Sequence, residues 1–227
     1  IGSYIANRGL GNFRDWGKWF GMSQPANNPA YQVRKPNDDE LRMQKLFVVF
    51  QMTYVGAPMV YYGDEVGMWG ANDPDGRKPM IWPDIAYEKE RALPDGKLRP
   101  EAQDDEVWQD PELHAFYKKM IGIRNAHPAL RTGSYKTLLA DDADGVFAYE
   151  RRLGDEVIWV VLNNSDAERT VRLPRSGFDE FEDLLNARTY AGQRPVMEFD
   201  IPGRQAAVLR ASVIPLNATA PEIQARK

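Results

Sequence analysis

The sequence predicts an α/β unit followed by an all-β unit, and three observations carry that reading. First, "NDDELRMQKLFVVFQMTYVG", Asn37 to Gly56, has the capping and composition of a buried helix and runs straight into the short apolar stretch "APMVYY". Second, "DPELHAFYKKMIGIRNAHPAL" opens with another helix start signal at Asp110-Pro111. Third, beyond Gly133 the period of apolar residues falls from helical spacing to simple alternation.

In chain order, residues 1–36 are loop-rich. Trp16, Trp19, Phe20 and Tyr31 are scattered among Gly, Asn and Pro, and only a short helix near Ser3 to Arg8 is expected. Asn37 can cap the next helix, and Asp38, Asp39 and Glu40 load its first turn, where the helix dipole favours anions. Gly56 follows its end. Leu41, Leu46, Phe47, Phe50, Met52 and Tyr54 spread around the girth, so this helix should be buried. "APMVYY", bounded by Pro58 and Gly63, then reads as a strand covered on both faces, as in parallel sheets. After an irregular polar span from Pro83 to Gln109, Leu113, Phe116, Tyr117, Met120, Ile121 and Arg124 mark a second helix, which His127-Pro128 should end. "VFAYERRLGDEVIWVVLNNS" alternates about Gly154-Asp155, and "VMEFDIPGRQAAVLRA" alternates about Pro202-Gly203, so two hairpins are expected. Trp159, inside "VIWVV", should be core rather than a sugar platform. The expected divisions are 1–133, 134–214 and a loosely held tail at 215–227.

Composition narrows the function. The net charge of -4 and the lack of a basic run argue against a nucleic acid or an anionic membrane as partner. The chain has no cysteine, which excludes disulfides, thiolate nucleophiles and thiolate metal sites. No signal-peptide pattern is visible at "IGSYIANRG", and the most apolar segment, Leu46 to Val60, is interrupted by Gln51, Gly56 and Pro58. A soluble chain is expected, with cytoplasmic, periplasmic and secreted settings all compatible. Ile1 is no initiator, which suggests part of something longer.

The stretch "GAPMVYYGDEVGMWGANDPDGRKPMIW" is where chemistry concentrates. Binding loops of parallel α/β folds lie beyond the carboxyl ends of the strands, the place this loop would take. Asp73 and Arg77 lie four apart around Pro74 and Gly76, so both can point at one ligand; a carboxylate accepts and a guanidinium donates to adjacent hydroxyls. Equally, the two can pin the loop by a local ion pair. Trp69 and Trp82 can offer flat apolar walls to a sugar ring. Asp64 and Glu65 are adjacent in an extended segment and point to opposite sides, so they should anchor loops rather than act as a catalytic pair.

Other chemistries fail on spacing. "GLGNFR" lacks the third glycine and preceding strand of a dinucleotide fingerprint. "ADDADG" and "ANDPDG" put Ala140 and Ala71 in the first ligand position of a calcium loop, with Arg151 and Trp82 where the closing Glu belongs. Asn163 and Asn217 head formal glycosylation sequons. His114 is expected on a helix surface and His127 near a helix C-terminus, and neither is followed by Asp. No cofactor and no metal site is expected.

The order "PMVYYGDEVGM", "DPDGRKPMIW", "FYKKMIGIRNAHPAL" and then a β unit resembles the C-terminal part of the α-amylase superfamily of glycoside hydrolases. "GANDPDGRKPMIW" looks most like its cyclomaltodextrinase, neopullulanase and α-glucosidase group. The resemblance implies the last part of a (β/α)₈ barrel, with Leu41 to Val55 as the seventh helix, Pro58 to Tyr62 as the eighth strand and Leu113 to Arg124 as the last helix. Ser134 to Ser212 would then be the C-terminal β-sandwich. It implies an α-glucan oligosaccharide substrate, sugar binding by Asp73 and Arg77 with Trp82 shaping the loop, and catalytic carboxylates upstream of Ile1 in the N-terminal remainder of the barrel. A noncatalytic binding or scaffolding homologue of the same fold is the alternative.

Overall fold

A computed structural model describes residues 2–10, 18, 21–73, 75–98, 104–191 and 195–213. Trp16, Trp19, Phe20, Pro74, most of "GLGNFR", the Asn217 sequon and the tail 215–227 lie outside them. Two compact units are present, residues 1–45 with 59–118, and residues 46–58 with 119–227. The two long helices each contribute to both units.

In the first unit, helix α1 spans Gly2–Ala6 and helix α2 begins at Asp38, running as Asp38–Thr53. The start of α2 is a reciprocal capping box: Asn37 Oδ1 accepts the Glu40 amide at 3.0 Å, and Glu40 Oε2 accepts the Asn37 amide at 2.9 Å. Arg34 closes on the same carboxylate with two bonds of 2.8 and 2.7 Å. Helix α3, Pro111–Ala126, is capped by Asp110, whose Oδ1 accepts the Leu113 amide at 2.9 Å. Asp110 is itself tied back by its own amide to the Val66 carbonyl, 3.0 Å away. A small core of Tyr31, Val33, Trp69 and Ala71, with Leu93 and Val107 against it, underlies the loop region.

The second unit is a two-sheet antiparallel sandwich. Its strands are β1 Ser134–Asp141, β2 Val146–Leu153, β3 Glu156–Asn163, β4 Arg169–Pro174, β5 Glu180–Asp183, β6 Arg188–Ala191, β7 Val196–Ile201 and β8 Ala206–Ser212. The larger sheet runs β1-β2-β3-β8-β5-β6 and the smaller is β4-β7. Val157, Trp159 and Val161 of β3 enter the core beside Phe181, Leu209, Met197 and Phe199, as alternation requires. Trp159 is fully buried, 4.6 Å from Phe181 between ring centres, with its indole N–H on Glu150 at 3.0 Å. The other face of β3 is covered too, so "VIWVVL" reads as one continuous apolar run. Over the neighbouring β2, Tyr149 meets Phe50 edge-on and shares a 2.6 Å hydrogen bond with Thr53.

Two buried arginines organise the helix ends of this unit. Arg151 donates to the carbonyls of Thr53, Leu130 and Gly133 at 2.7, 3.0 and 3.0 Å, and more weakly to that of Ser134 at 3.3 Å. Arg124 donates to Met52, Leu130 and Gly56 at 2.7, 2.9 and 2.7 Å. The last carbonyls of a helix lack intrahelical donors, and these guanidinium groups supply them at the end of α2. Burial is the main cause that pulls both arginines below their ordinary pKa; the Arg131 charge adds to it at Arg124, and at Arg151 the Arg124 charge adds to it while Tyr149 opposes it.

Three sequence expectations are corrected. Pro58 to Tyr62 joins no strand ladder among the described residues, and Met59, Val60, Tyr61 and Tyr62 are exposed; a barrel strand needs a neighbour on each side, and the described residues supply none. The second helix does end at His127-Pro128 as expected, after Ala126, and the chain then forms a separate one-turn helix α4, Pro128–Thr132, with Pro at its first position. Pro202-Gly203 does not close a hairpin: β7 pairs with β4 and β8 with β3 and β5, so the turn carries the chain from one sheet to the other. Helix α2 is buried along most of its length, yet Phe47 faces outward. The Gly154-Asp155 hairpin is formed as expected, β2 pairing with β3 from Val146↔Asn163 to Leu153↔Glu156.

Candidate functional site

The acidic loop leaves the exposed segment through Gly63, whose φ of +90° is a left-handed conformation suited to glycine. A Cβ there would also collide with the Met68 side chain, reaching its Cγ at 3.1 Å. One turn of 3₁₀ helix, Asp64–Val66, follows, then Gly67 at φ +79°, and the chain doubles back toward Trp69.

From Trp69 to Lys78 the loop is held mostly through its backbone. The Gly70 amide donates to Ser3 Oγ at 2.8 Å, the Ala71 amide to Asp75 Oδ2 at 2.5 Å, and the Asn72 amide to the Ser23 carbonyl at 3.0 Å. Gln24 Nε2 donates to the Asp73 carbonyl at 2.7 Å. On the return, the Tyr61 hydroxyl reaches the Gly76 carbonyl at 3.4 Å and the Tyr62 hydroxyl the Lys78 carbonyl at 2.9 Å. A short 3₁₀ turn, Asp75–Arg77, completes the bend.

Asp73 and Arg77 come together: Nε to Oδ1 is 2.8 Å, with the carboxylate 47% and the guanidinium 71% exposed. An exposed pair of this kind contributes about 0.2–1 kcal/mol to stability, so most of both groups' hydrogen-bonding capacity still faces water. Trp82 is 54% exposed; its backbone amide donates to the Tyr87 hydroxyl at 2.8 Å and its carbonyl accepts the Ile85 amide at 3.3 Å. Trp69, by contrast, is buried at 5%. Its edge forms part of a cleft of about 250 Å³ with Tyr61, Tyr62 and Asp64. A second cleft of about 330 Å³, which shares Asn72, Asp75 and Lys78 with the first, is also lined by Gln24 to Ala26, Arg77, Pro94 and Asp95. Neither Asp73 nor Trp82 is among the described residues lining these two clefts.

The first cleft is lined by hydroxyl and carboxylate groups, among them those of Ser3, Ser23, Tyr31, Asp64 and Asp75. Tyr31, in its wall, is pushed above its ordinary pKa by burial and then by the nearby Asp75 carboxylate, so its hydroxyl stays a proton donor. Asp64 lines the cleft while Glu65 does not, and Glu65 Oε2 is buried without a hydrogen-bond partner among the described residues. The two adjacent residues lie in a 3₁₀ turn rather than in the extended segment expected from the sequence. Among the described residues no group of three or more His, Cys, Asp and Glu side chains is placed to hold a metal ion.

His114 is exposed on α3. His127 sits at the N-terminus of α4, with Nδ1 2.8 Å from Glu156 Oε1, while Glu156 Oε2 accepts the Ala129 amide at 2.7 Å. Asn163 is fully buried and its amide donates to the Ala167 and Ile201 carbonyls at 2.8 and 3.0 Å, which leaves its sequon inaccessible to a glycan. Two residues, Glu90 and Gln109, were given no role by the sequence reading. Glu90 accepts from Trp69 Nε1 at 3.2 Å and from Lys78 Nζ at 2.8 Å, and Gln109 Nε2 donates to the Ile81 carbonyl at 2.5 Å. These contacts join positions 12 to 28 residues apart, a separation at which local pattern carries no signal.

Residues 31–133 match the family described as Alpha amylase, catalytic domain, and residues 135–206 match Maltogenic Amylase, C-terminal domain. The chain belongs to the α-amylase superfamily of glycoside hydrolases.

Among its curated relatives, neopullulanase 2 of Thermoactinomyces vulgaris is 35% identical over 167 residues, covering 73% of this chain and 25% of the relative. A cyclomaltodextrinase of Bacillus sp is 41% identical over 135 residues, covering 60% of this chain and 20% of its own. A solved cyclomaltodextrinase structure superposes with a TM-score of 0.59 at 33% identity, over 77% of this chain and 26% of that one. The chain thus spans a quarter or less of the length of these curated relatives.

Proposed function

We propose that the chain is the C-terminal part of a retaining glycoside hydrolase acting on α-1,4-linked maltooligosaccharides or cyclodextrins, with α-1,6 bonds as a further target. Residues 1–133 would complete the catalytic barrel, residues 134–214 form its C-terminal sandwich, and 215–227 a tail. The observation that carries the reading is the Asp73–Arg77 pair at 2.8 Å, preformed on an open loop inside the span matched to the catalytic-domain family. Relatives named neopullulanase and cyclomaltodextrinase supply the substrate class.

The roles follow from donor and acceptor inventory. Arg77 donates to one sugar hydroxyl and Asp73 accepts from its neighbour, on the nonreducing side of the bond to be cleaved, while Trp82 shapes the loop. The ion pair holds both groups in orientation before the sugar arrives, which lowers the ordering cost of binding. Bond cleavage by the retaining route requires two carboxyl groups about 5–5.5 Å apart, one as nucleophile and one as acid/base, and these are assigned upstream of Ile1.

The test has two parts. The 227-residue chain alone, incubated with maltotriose or a cyclodextrin, should release no glucose or maltose; clear turnover would overturn the assignment of the carboxylates. In the full-length enzyme, Asp73→Ala should lower kcat/KM for maltotriose by roughly one to two powers of ten, since each bond lost to a charged group is worth about 1.5–3 kcal/mol. Unchanged kinetics would remove Asp73 from the site. Specific maltotriose binding by a full-length protein without turnover would favour the noncatalytic homologue.

A further inference from the structure

We infer that Glu90 is the positioning residue of this site, holding the Asp73–Arg77 loop by fastening both of its ends at once; the inference rests on the reading of Asp73 and Arg77 as the sugar-binding pair. Trp69 and Lys78 are the first and last residues of the loop that carries the pair. Glu90 Oε1 accepts the Trp69 indole N–H at 3.2 Å, and Oε2 accepts the Lys78 ammonium at 2.8 Å. One carboxylate thereby joins the two ends of a loop whose centre is open to solvent.

The geometry favours a positioning role over an ordinary surface ion pair. The Glu90 side chain is 19% exposed and that of Lys78 25%, so this bond is better shielded than the Asp73–Arg77 bond it supports. The Trp69 ring is in the small core with Tyr31, Val33 and Ala71, which fixes one end of the clamp in packed surroundings. The Lys78 end is fixed a second time, by the Tyr62 hydroxyl on its carbonyl. Glu90 itself is held by a backbone bridge to Asp105, with bonds of 2.8 and 3.2 Å, and a second bridge pairs Ala92 with Leu98. Asp105 in turn accepts the Lys35 amide at 3.0 Å. The segment that brings in Glu90 also packs Leu93 and Val107 against the core that holds Trp69 and Ala71, and Asp95 lines the same cleft as Arg77. A displacement of either loop end is transmitted to Asp73 and Arg77, because between the ends the loop's own backbone groups are fastened, the Gly70 amide to the Ser3 hydroxyl, the Ala71 amide to the Asp75 carboxylate, the Asn72 amide to the Ser23 carbonyl and the Asp73 carbonyl to the Gln24 side-chain amide. Misplacing a binding group by about 1 Å can cost on the order of a hundredfold in rate.

The experiment uses the full-length enzyme with maltotriose as substrate, at a temperature where circular dichroism shows each variant folded. Glu90→Gln keeps an acceptor for Trp69 but loses the charge opposite Lys78, whereas Glu90→Ala loses both. Glu90→Gln should lower kcat/KM on the order of tenfold and Glu90→Ala by more. Both changes should be nearly silent when Asp73 and Arg77 are already alanine, since a positioning residue acts only through the groups it positions. A full additional loss in that background would place the action of Glu90 elsewhere and overturn the proposal. So would unchanged kinetics in Glu90→Ala while Asp73→Ala alone is impaired, an outcome that leaves the sugar-binding pair intact. If Asp73→Ala itself has no effect, the site falls and the positioning role falls with it.

Discussion

Replacing Arg151 by Met removes a buried charge of the sandwich unit that makes four hydrogen bonds, while keeping a long apolar stem. The guanidinium is 1% exposed and bonds four carbonyls, of which Leu130 keeps Arg124 as a donor at 2.9 Å and Ser134 is held only weakly at 3.3 Å. The carbonyls of Thr53 and Gly133 lose donors at 2.7 and 3.0 Å. A buried polar group left unsatisfied costs about 1–3 kcal/mol. Against that stands the relief of no longer desolvating a cation, the same burial that pulls Arg151 below its ordinary pKa. The net expectation is a loss of about 3 kcal/mol, or roughly 6–12 °C in Tm for a chain of this size. Arg151→Lys should fall between the two, because an ammonium cannot span carbonyls on opposite sides of the planar fork. Urea unfolding followed by the fluorescence of the buried Trp159 would report on this unit. A loss below about 0.5 kcal/mol for Arg151→Met, the range of an ordinary surface substitution, would refute the argument that these carbonyls depend on it.

Two further outcomes follow from the same accounting. Burial alone would raise the Glu40 carboxyl, but the Arg34 hydrogen bonds, the Asn37 amide and the charges of Arg34 and Arg8 outweigh it and hold the carboxyl below the ordinary range. Its contribution is therefore present above the unfolded value, near about pH 4.3, and is lost as pH falls through the lower folded value. Wild type and Glu40→Gln should differ in Tm at neutral pH and converge in acid; a gap independent of pH would contradict the shift. Gly133→Ala should cost about 1–3 kcal/mol through overpacking, although φ is an ordinary −68°, because the new Cβ would meet the Ala129 carbonyl and lie 2.8 Å from the Arg152 carbonyl. A urea midpoint equal to wild type would show that the junction yields without cost.

What could be read from the sequence was local, and what could not was not. Asn37 and Asp110 announce their helices because a cap acts on an amide three residues ahead, and both caps are formed. The Gly154-Asp155 hairpin and the buried Trp159 were legible for the same reason, alternation being a property of neighbours. Pro202-Gly203 carries the same alternation, yet which sheet each flanking strand joins is decided by partners more than twenty residues away, β4 for one and β3 for the other. In the candidate site, Asp73 and Arg77 were visible because they are four apart and meet in an ion pair. Glu90 was not, because nothing about the type or spacing of a glutamate within "YEKER" tells that it reaches back to Trp69 and Lys78.

The exposed stretch after Pro58 has a practical consequence. Met59 is 75% exposed, and Val60, Tyr61 and Tyr62 follow it with 38%, 47% and 43% of their surfaces in water. Four consecutive side chains of high β-propensity and no charge make a sticky template for intermolecular pairing. Produced by itself in a bacterial host, the polypeptide should collect in inclusion bodies and be recovered by refolding, and a Lys in place of Met59 should shift it toward the soluble fraction.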